Sequence, residues 1–268
     1  MTAPNTSSAP VVKPTVTDRL HGKLVAGIEY PTAAVASYIV SPRTLLGVRL
    51  VLFTFMLAVG ITSLVDWFSI TRGFALDLMY FAFFTNCNLW GLIFYLGLAL
   101  PRLRSFPAPC HSALALVHVE LSFHPLVVLV YWLFLSSRFF TTADALERFI
   151  SASSHGVTFV VVLIEVMLGG MAMNPWAVVP VVLLLCIYTV WAIVYHAIGD
   201  RWVYGFLDPT QPAAAYMYPG ILIASVIFFG FMMLVHRLRN RVFAGRSLIL
   251  PTAAVNKSVF EEASAVNK

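Results

Sequence analysis

The run WAVVPVVLLLCIYTVWAIVYHA, from Trp176 to Ala197, contains no Asp, Glu, Lys or Arg. A helix needs about 20 mostly apolar residues to cross a hydrocarbon core of about 30 Å, so this stretch reads as a membrane span. Five further segments reach that length and character: Leu45–Trp67, Leu78–Leu100, Ser112–Ser136, Ala152–Leu168 and Tyr216–His236. The expected fold is an all-α integral membrane protein, a bundle of six transmembrane helices. The connections between spans are short and leave no room for a second domain. The expected boundaries are a flexible tail over 1–44, the membrane domain over 45–237 and a basic, flexible tail over 238–268.

Composition agrees with that reading. Of 268 residues, 60% are hydrophobic and 11% charged, against about 45–50% and 25% in soluble domains. An ordinary soluble enzyme is excluded. The 21 Phe, 10 Tyr and 6 Trp exclude disorder over most of the chain. Cys87, Cys110 and Cys186 lack the close spacing of a zinc or dithiol site, and no disulfide framework is expected. The net charge of +5 points to a membrane surface rather than nucleic acid, because the basic residues gather at the chain ends and follow an apolar run.

Most of the Lys and Arg fall on one side of the alternating topology. The N-terminal tail (Lys13, Arg19, Lys23, Arg43), Arg49, Arg102, Arg104 and the C-terminal tail stand against Arg72, Arg138, Arg148 and Arg201. Both termini are therefore expected in the cytoplasm. Arg237, Arg239 and Arg241 read as a cytoplasmic stop that contacts anionic lipids. Trp67, Trp202, Tyr204, Tyr216 and Tyr218 lie near outer helix ends and read as interface anchors.

Ionisable groups inside a span are costly, by about 2.5–3.5 kcal/mol for Asp at the helix centre, and so need a reason. The third span holds His118, Glu120 and His124. At about 100° per residue, Glu120 and His124 share a face while His118 points nearly away from Glu120. In the fourth span His155 precedes Glu165 by ten residues, which puts Glu165 about 15 Å deeper and near mid-bilayer. In the second span Thr85 and Asn88 share a face, with Asn86 and Cys87 between them. Thr85, about 10 Å below its outer helix end, and His155, about 5 Å below its own, fall in the same half of the membrane.

Three chemistries use such groups. A histidine can activate a hydroxyl for attack on an ester, with Thr85 the best-placed partner of His155. Glu120, His124, His155 and Glu165 supply metal-ligand types, but without any tight His spacing. Buried Glu and His also serve proton relays in carriers. Against all three stands the plain reading of Thr85 and the asparagines as hydrogen-bonding partners between helices.

The segment from His155 to Glu165, followed by Trp202-Val-Tyr-Gly-Phe-Leu-Asp208, resembles the androgen-induced protein family of multispan membrane proteins. Phe81-Ala-Phe-Phe-Thr85-Asn and Val130-Tyr-Trp132 are similar to further runs of that family. The resemblance covers about residues 45 to 237. It implies a threonine hydrolase of fatty acid esters of hydroxy fatty acids or similar lipid esters, with Thr85 and His155 as the catalytic pair. Gly205 stands where those hydrolases usually have Pro. The Phe-Thr-Asn pattern, Tyr131-Trp132 and Val203–Asp208 also resemble the more distant rolling stone family, for which hydrolysis is not the expectation.

The combined expectation is an intramembrane hydrolase. Thr85 attacks, His155 acts as base and then acid, Asn86 and Asn88 orient the substrate or donate to the oxyanion, and Glu165, Glu120 and His124 support the site from behind. No metal or organic cofactor is expected. The partners are the bilayer and a lipid ester, in the endoplasmic reticulum or plasma membrane. The alternatives are a non-enzymatic scaffold or fusion and adhesion factor, and a proton-coupled carrier.

Overall fold

The computed structural model describes residues 36–70, 79–100, 109–171 and 173–249. The N-terminal and C-terminal basic residues Lys13, Arg19, Lys23, Lys257 and Lys268, and Arg72, Arg102 and Arg104, lie outside them. Helix α1 spans Pro42–Ile70. A single 3-10 turn, Tyr80–Ala82, precedes α2, Phe84–Ala99. Helix α3, Pro109–Val130, runs on through a π-turn at Tyr131–Leu135. Short α4, Ser137–Thr141, leads to α5, Ala145–Leu168, which contains a second π-turn at Ser153–Val157. Helices α6, Val178–Gly199, and α7, Ala214–Val242, complete the described residues.

Among the described residues, five helical stretches are long and apolar enough to cross a membrane, the character of a multi-pass membrane protein. The second of the six expected spans is shorter than the sequence suggests. Phe83 is extended, with ψ of 125°, so α2 keeps only 16 residues, or about 24 Å at the helical rise. It compensates by being central. Leu89, Leu92 and Leu96 of α2 pack with Met56 and Val59 of α1, Leu121 of α3, Val161, Val162 and Val166 of α5 and Met232 of α7. Lipid-facing positions on the outer helices stay apolar and exposed, among them Val190, Ile198 and Leu183 on α6 and Ile223 and Ile227 on α7.

Glycines set the closest approaches. A Cβ on Gly60 would come within 2.8 Å of Ile93 Cδ1, and one on Gly97 within 3.2 Å of Phe53. Pairing 60 with 93 and 53 with 97 makes α1 and α2 antiparallel. Arg49 meets Glu165 and Phe55 meets Phe149, so α1 is antiparallel to α5 as well. Helices α2 and α5 therefore run in the same direction.

The chain enters and leaves the bundle at one end. Ser37 and Ile249 form an isolated antiparallel β-bridge, and Tyr38 stacks on Phe243 at 6.3 Å. Ala36 and Ser37 are fully buried, so the N-terminal segment packs from residue 36 onward.

Candidate active site

Helix α5 begins seven residues earlier than its apolar run, and this moves His155 and Glu165 along it. Asp144 caps it by accepting from Glu147 N–H at 2.8 Å, a cap type worth about 1 kcal/mol. Glu147 and Arg148 are thus part of the helix rather than a loop. His155 is consequently about 15 Å along α5, not 5 Å. Glu165 is correspondingly close to the other end of the helix, in the last turn before the terminal Leu168.

Glu165 is paired with a cation. Its carboxylate takes Arg49 Nε at 3.0 Å and Arg49 Nη2 in a two-pronged ion pair, and Tyr95 Oη donates to it at 2.8 Å. All three groups are buried. Arg49 is therefore not a free charge of the N-terminal flank. Arg239 is not free for lipid either: it is buried and donates to the carbonyls of Val166, Gly169 and Met171 at 2.7–2.8 Å. Those carbonyls sit at the C-terminal end of α5, where cations are favoured. Arg237 and Arg241 are exposed.

Glu120 and His124 do share a face, and both are buried. His124 Nδ1 lies 2.8 Å from the Glu120 carbonyl and 3.3 Å from Glu120 Oε2. Gly91 makes room for this carboxylate, since a Cβ there would overlap Glu120 Oε1. His118 faces elsewhere and accepts from Asn174 N–H at 3.1 Å. Among the described residues, no group of three or more His, Cys, Asp and Glu is arranged to hold a metal ion.

A cavity of about 360 Å³ lies among α3, α6, α7 and the first turn of α2. Its size falls within the roughly 300–1,000 Å³ of small-molecule sites. Thr85, Tyr131, Tyr188, Tyr204 and Tyr218 bring hydroxyl-bearing side chains to a wall otherwise formed by Phe84, Leu126, Val127, Leu185, Ile221 and similar apolar groups. The lining residues Cys186 on α6 and Pro219 and Leu222 on α7 are exposed. The cavity thus reaches the lipid-facing surface between those two helices.

Thr85 occupies the N-terminal turn of α2, not a position two turns into a longer helix. Tyr204 is the group that holds this turn. Its Oη accepts from Phe84 N–H at 3.1 Å and stands beside the Thr85 and Tyr188 hydroxyls. Tyr204 thus faces the protein interior rather than serving as an interface anchor, and burial pushes its pKa up to about 12. Tyr188 Oη donates to the Ala82 carbonyl and Tyr218 Oη to the Leu207 carbonyl, at 2.8 and 2.7 Å.

His155 lies on the π-turn of α5 and stacks on Tyr131, itself on the π-turn of α3, with ring centroids 3.5 Å apart and planes 17° from parallel. Such turns are frequent at functional sites. Trp132 Nε1 ties the two turns by donating to the His155 carbonyl at 3.1 Å. His155 Nδ1 is 2.9 Å from the Ser151 carbonyl and 3.1 Å from Ser154 Oγ, and that hydroxyl already donates to the Ile150 carbonyl. Both neighbours therefore accept, the proton resides on Nδ1, and Nε2 keeps its lone pair.

Among the described residues no hydrogen bond joins Thr85 to His155, and His155 lies behind Tyr131 rather than on the cavity wall. Asn86 and Asn88 are also off that wall. Their amides donate to the Tyr80 and Phe84 carbonyls at 2.8 and 2.7 Å. Searches against protein-family models, curated proteins and solved structures found nothing that matches this chain.

Sequence reading missed Tyr131, Tyr188 and Tyr204 as cavity groups, and Arg49 and Tyr95 as partners of Glu165. Only Arg49 had left a signal, a charge inside an apolar span. Tyrosines in a membrane protein carry no mark that separates a cavity wall from an interface.

Proposed function

We propose that this protein is an intramembrane hydrolase of lipid esters, fatty acid esters of hydroxy fatty acids or similar, with Thr85 as nucleophile and His155 as base. One observation carries the reading. The sequence segments around Thr85, Tyr131 and Tyr204 are far apart in the chain, and their side chains meet around one apolar cavity that reaches the lipid-facing surface, with His155 stacked behind Tyr131. In this reading α2, with the turn before it, is the sixth crossing, both termini are cytoplasmic, and the membrane is the endoplasmic reticulum or the plasma membrane.

The ester enters between α6 and α7, with its acyl chain along Leu126, Leu185 and Ile221. Thr85 Oγ1 bonds to the carbonyl carbon as its proton passes to His155 Nε2 through one water. The carbonyl electron pair moves to oxygen. Collapse breaks the ester C–O bond, and the alcohol leaves with the proton from His155. Water then attacks the acyl-threonine and gives a proton to His155. That proton returns to Thr85 as the fatty acid departs, and the sum is ester plus water to acid plus alcohol.

The test is labelling by a fluorophosphonate, which modifies activated hydroxyls, in membranes carrying wild type, Thr85→Ala or His155→Ala at equal folded abundance. Labelling of the wild type that is lost in both variants is the expected result. An intact wild type that the reagent can reach, and that stays unlabelled, overturns the reading. A non-enzymatic membrane protein then takes its place, a reading favoured by the asparagine amides being spent on backbone carbonyls.

A further inference from the structure

The cavity contains more hydroxyls than it leaves available. Tyr188 and Tyr218 donate to backbone carbonyls, Thr189 Oγ1 donates to the Leu185 carbonyl at 2.9 Å, and Tyr204 is engaged at the start of α2. Thr85 is the proposed nucleophile. Tyr131 remains. Its ring lines the cavity and stacks on His155, and among the described residues its hydroxyl has no hydrogen-bond partner. An open donor on an apolar wall is free to bind whatever acceptor a ligand or water brings to it.

We propose that Tyr131 binds the ligand's carbonyl oxygen and, in the hydrolase reading on which this rests, donates to the oxyanion that forms there. Asn86 and Asn88 are committed to backbone carbonyls, which leaves that role open. The same ring stacks on His155 behind the wall, so one residue contacts both the carbonyl oxygen and the general base. Among the described residues, no Asp, Glu, Lys, Arg or His lines the cavity. The group held next to Tyr131 is therefore an uncharged ester carbonyl, not a carboxylate or phosphate, which would require a cation in this water-poor setting. Hydrogen bonding is thus used for orientation and apolar contact for affinity, the usual division in such pockets.

Tyr131→Phe keeps the ring stacked on His155 and removes only the hydroxyl. Two measurements on the full chain in nanodiscs, with Thr85→Ala as control, test the proposal. In the first, turnover of a neutral long-chain ester by Tyr131→Phe falls about 10²-fold in kcat, the scale of losing one oxyanion donor, with KM little changed. In the second, a long-chain dialkyl ketone binds the wild type about fivefold more tightly than the matching alkane, which has no hydrogen-bond acceptor. That factor is what one neutral hydrogen bond supplies. The preference disappears in Tyr131→Phe and persists in Thr85→Ala. Wild type that fails to prefer the ketone, or a preference that survives in Tyr131→Phe, overturns the assignment. If wild type prefers the ketone through Tyr131 yet turns over no ester, the hydrolase reading falls while Tyr131 stands as the carbonyl-binding group.

Discussion

Tyr95 Oη donates to Glu165 Oε1 at 2.8 Å, which joins α2 to α5 ten residues below Thr85 on one helix and ten below His155 on the other. Because the two helices run in the same direction, equal offsets bring Thr85 and His155 to a common depth. The ion pair with Arg49 anchors this register at the end of the bundle where the chain enters and leaves.

That anchor is expected to be unforgiving. Removing one partner of a buried ion pair typically costs about 3–5 kcal/mol, because the other charge is left uncompensated. Arg49→Leu or Glu165→Leu alone should lower the thermal midpoint of the detergent-solubilised protein strongly. The double replacement should recover much of the loss, and thermal denaturation of the three variants reads this directly.

A side chain at Gly91 should be destabilising while Glu120 is present. Gly91→Ala drives a methyl into Glu120 Oε1, and overpacking of this kind costs about 1–3 kcal/mol. Glu120→Ala should relieve the clash, so the two substitutions combine non-additively. Gly220→Ala, which meets nothing within 4 Å, is the clash-free control for the same unfolding measurement and should be stabilising by up to about 1 kcal/mol.

Tyr204 gives stability a pH dependence of known sign. Its hydroxyl ionises near 10 in the unfolded chain and at about 12 in the folded protein. Between those values the unfolded state binds fewer protons, so stability falls as pH rises. Stability measured from about pH 9 to 12 should decline less steeply in Tyr204→Phe than in wild type. The variant should also be less stable at neutral pH by about 1 kcal/mol, for loss of the bond to Phe84 N–H.

The two ends of the bundle chain should be linkable. With Cys87, Cys110 and Cys186 replaced, Ser37→Cys with Ile249→Cys should form a disulfide on mild oxidation, because residues paired across an antiparallel bridge lie about 4.5–5.5 Å apart at Cα, within the range a disulfide spans. Ser37→Cys combined instead with Thr210→Cys should give no cross-link, as read by gel mobility after proteolysis between the helices.

Apolar run length was enough to place five of the helices, because a bilayer demands satisfied backbone over about 20 residues whatever the neighbours are. It misjudged the second span, where α2 starts only after the extended Phe83 and the Phe84 N–H is taken by Tyr204, a residue 120 positions away. It also began α5 too late, since Glu147 and Arg148 look like loop residues until Asp144 is seen to cap them. Thr85 and His155 could be named from local pattern, but their surroundings could not.

The sequence by itself determined that this chain lives in a membrane as helices, which of its polar residues fall inside those helices, and that Glu120 and His124 share a face. Those properties depend on composition and on the helical period, which neighbours in sequence define. Only the tertiary structure decided that Arg49 neutralises Glu165, that Arg239 serves carbonyls rather than lipid, and that Tyr131, Tyr204 and Thr85 close around one cavity. Each of those contacts joins separate helices. In a bundle whose helices are nearly uniform in hydrophobicity, the rotation and depth that bring them together are set by packing and by hydrogen bonds between helices.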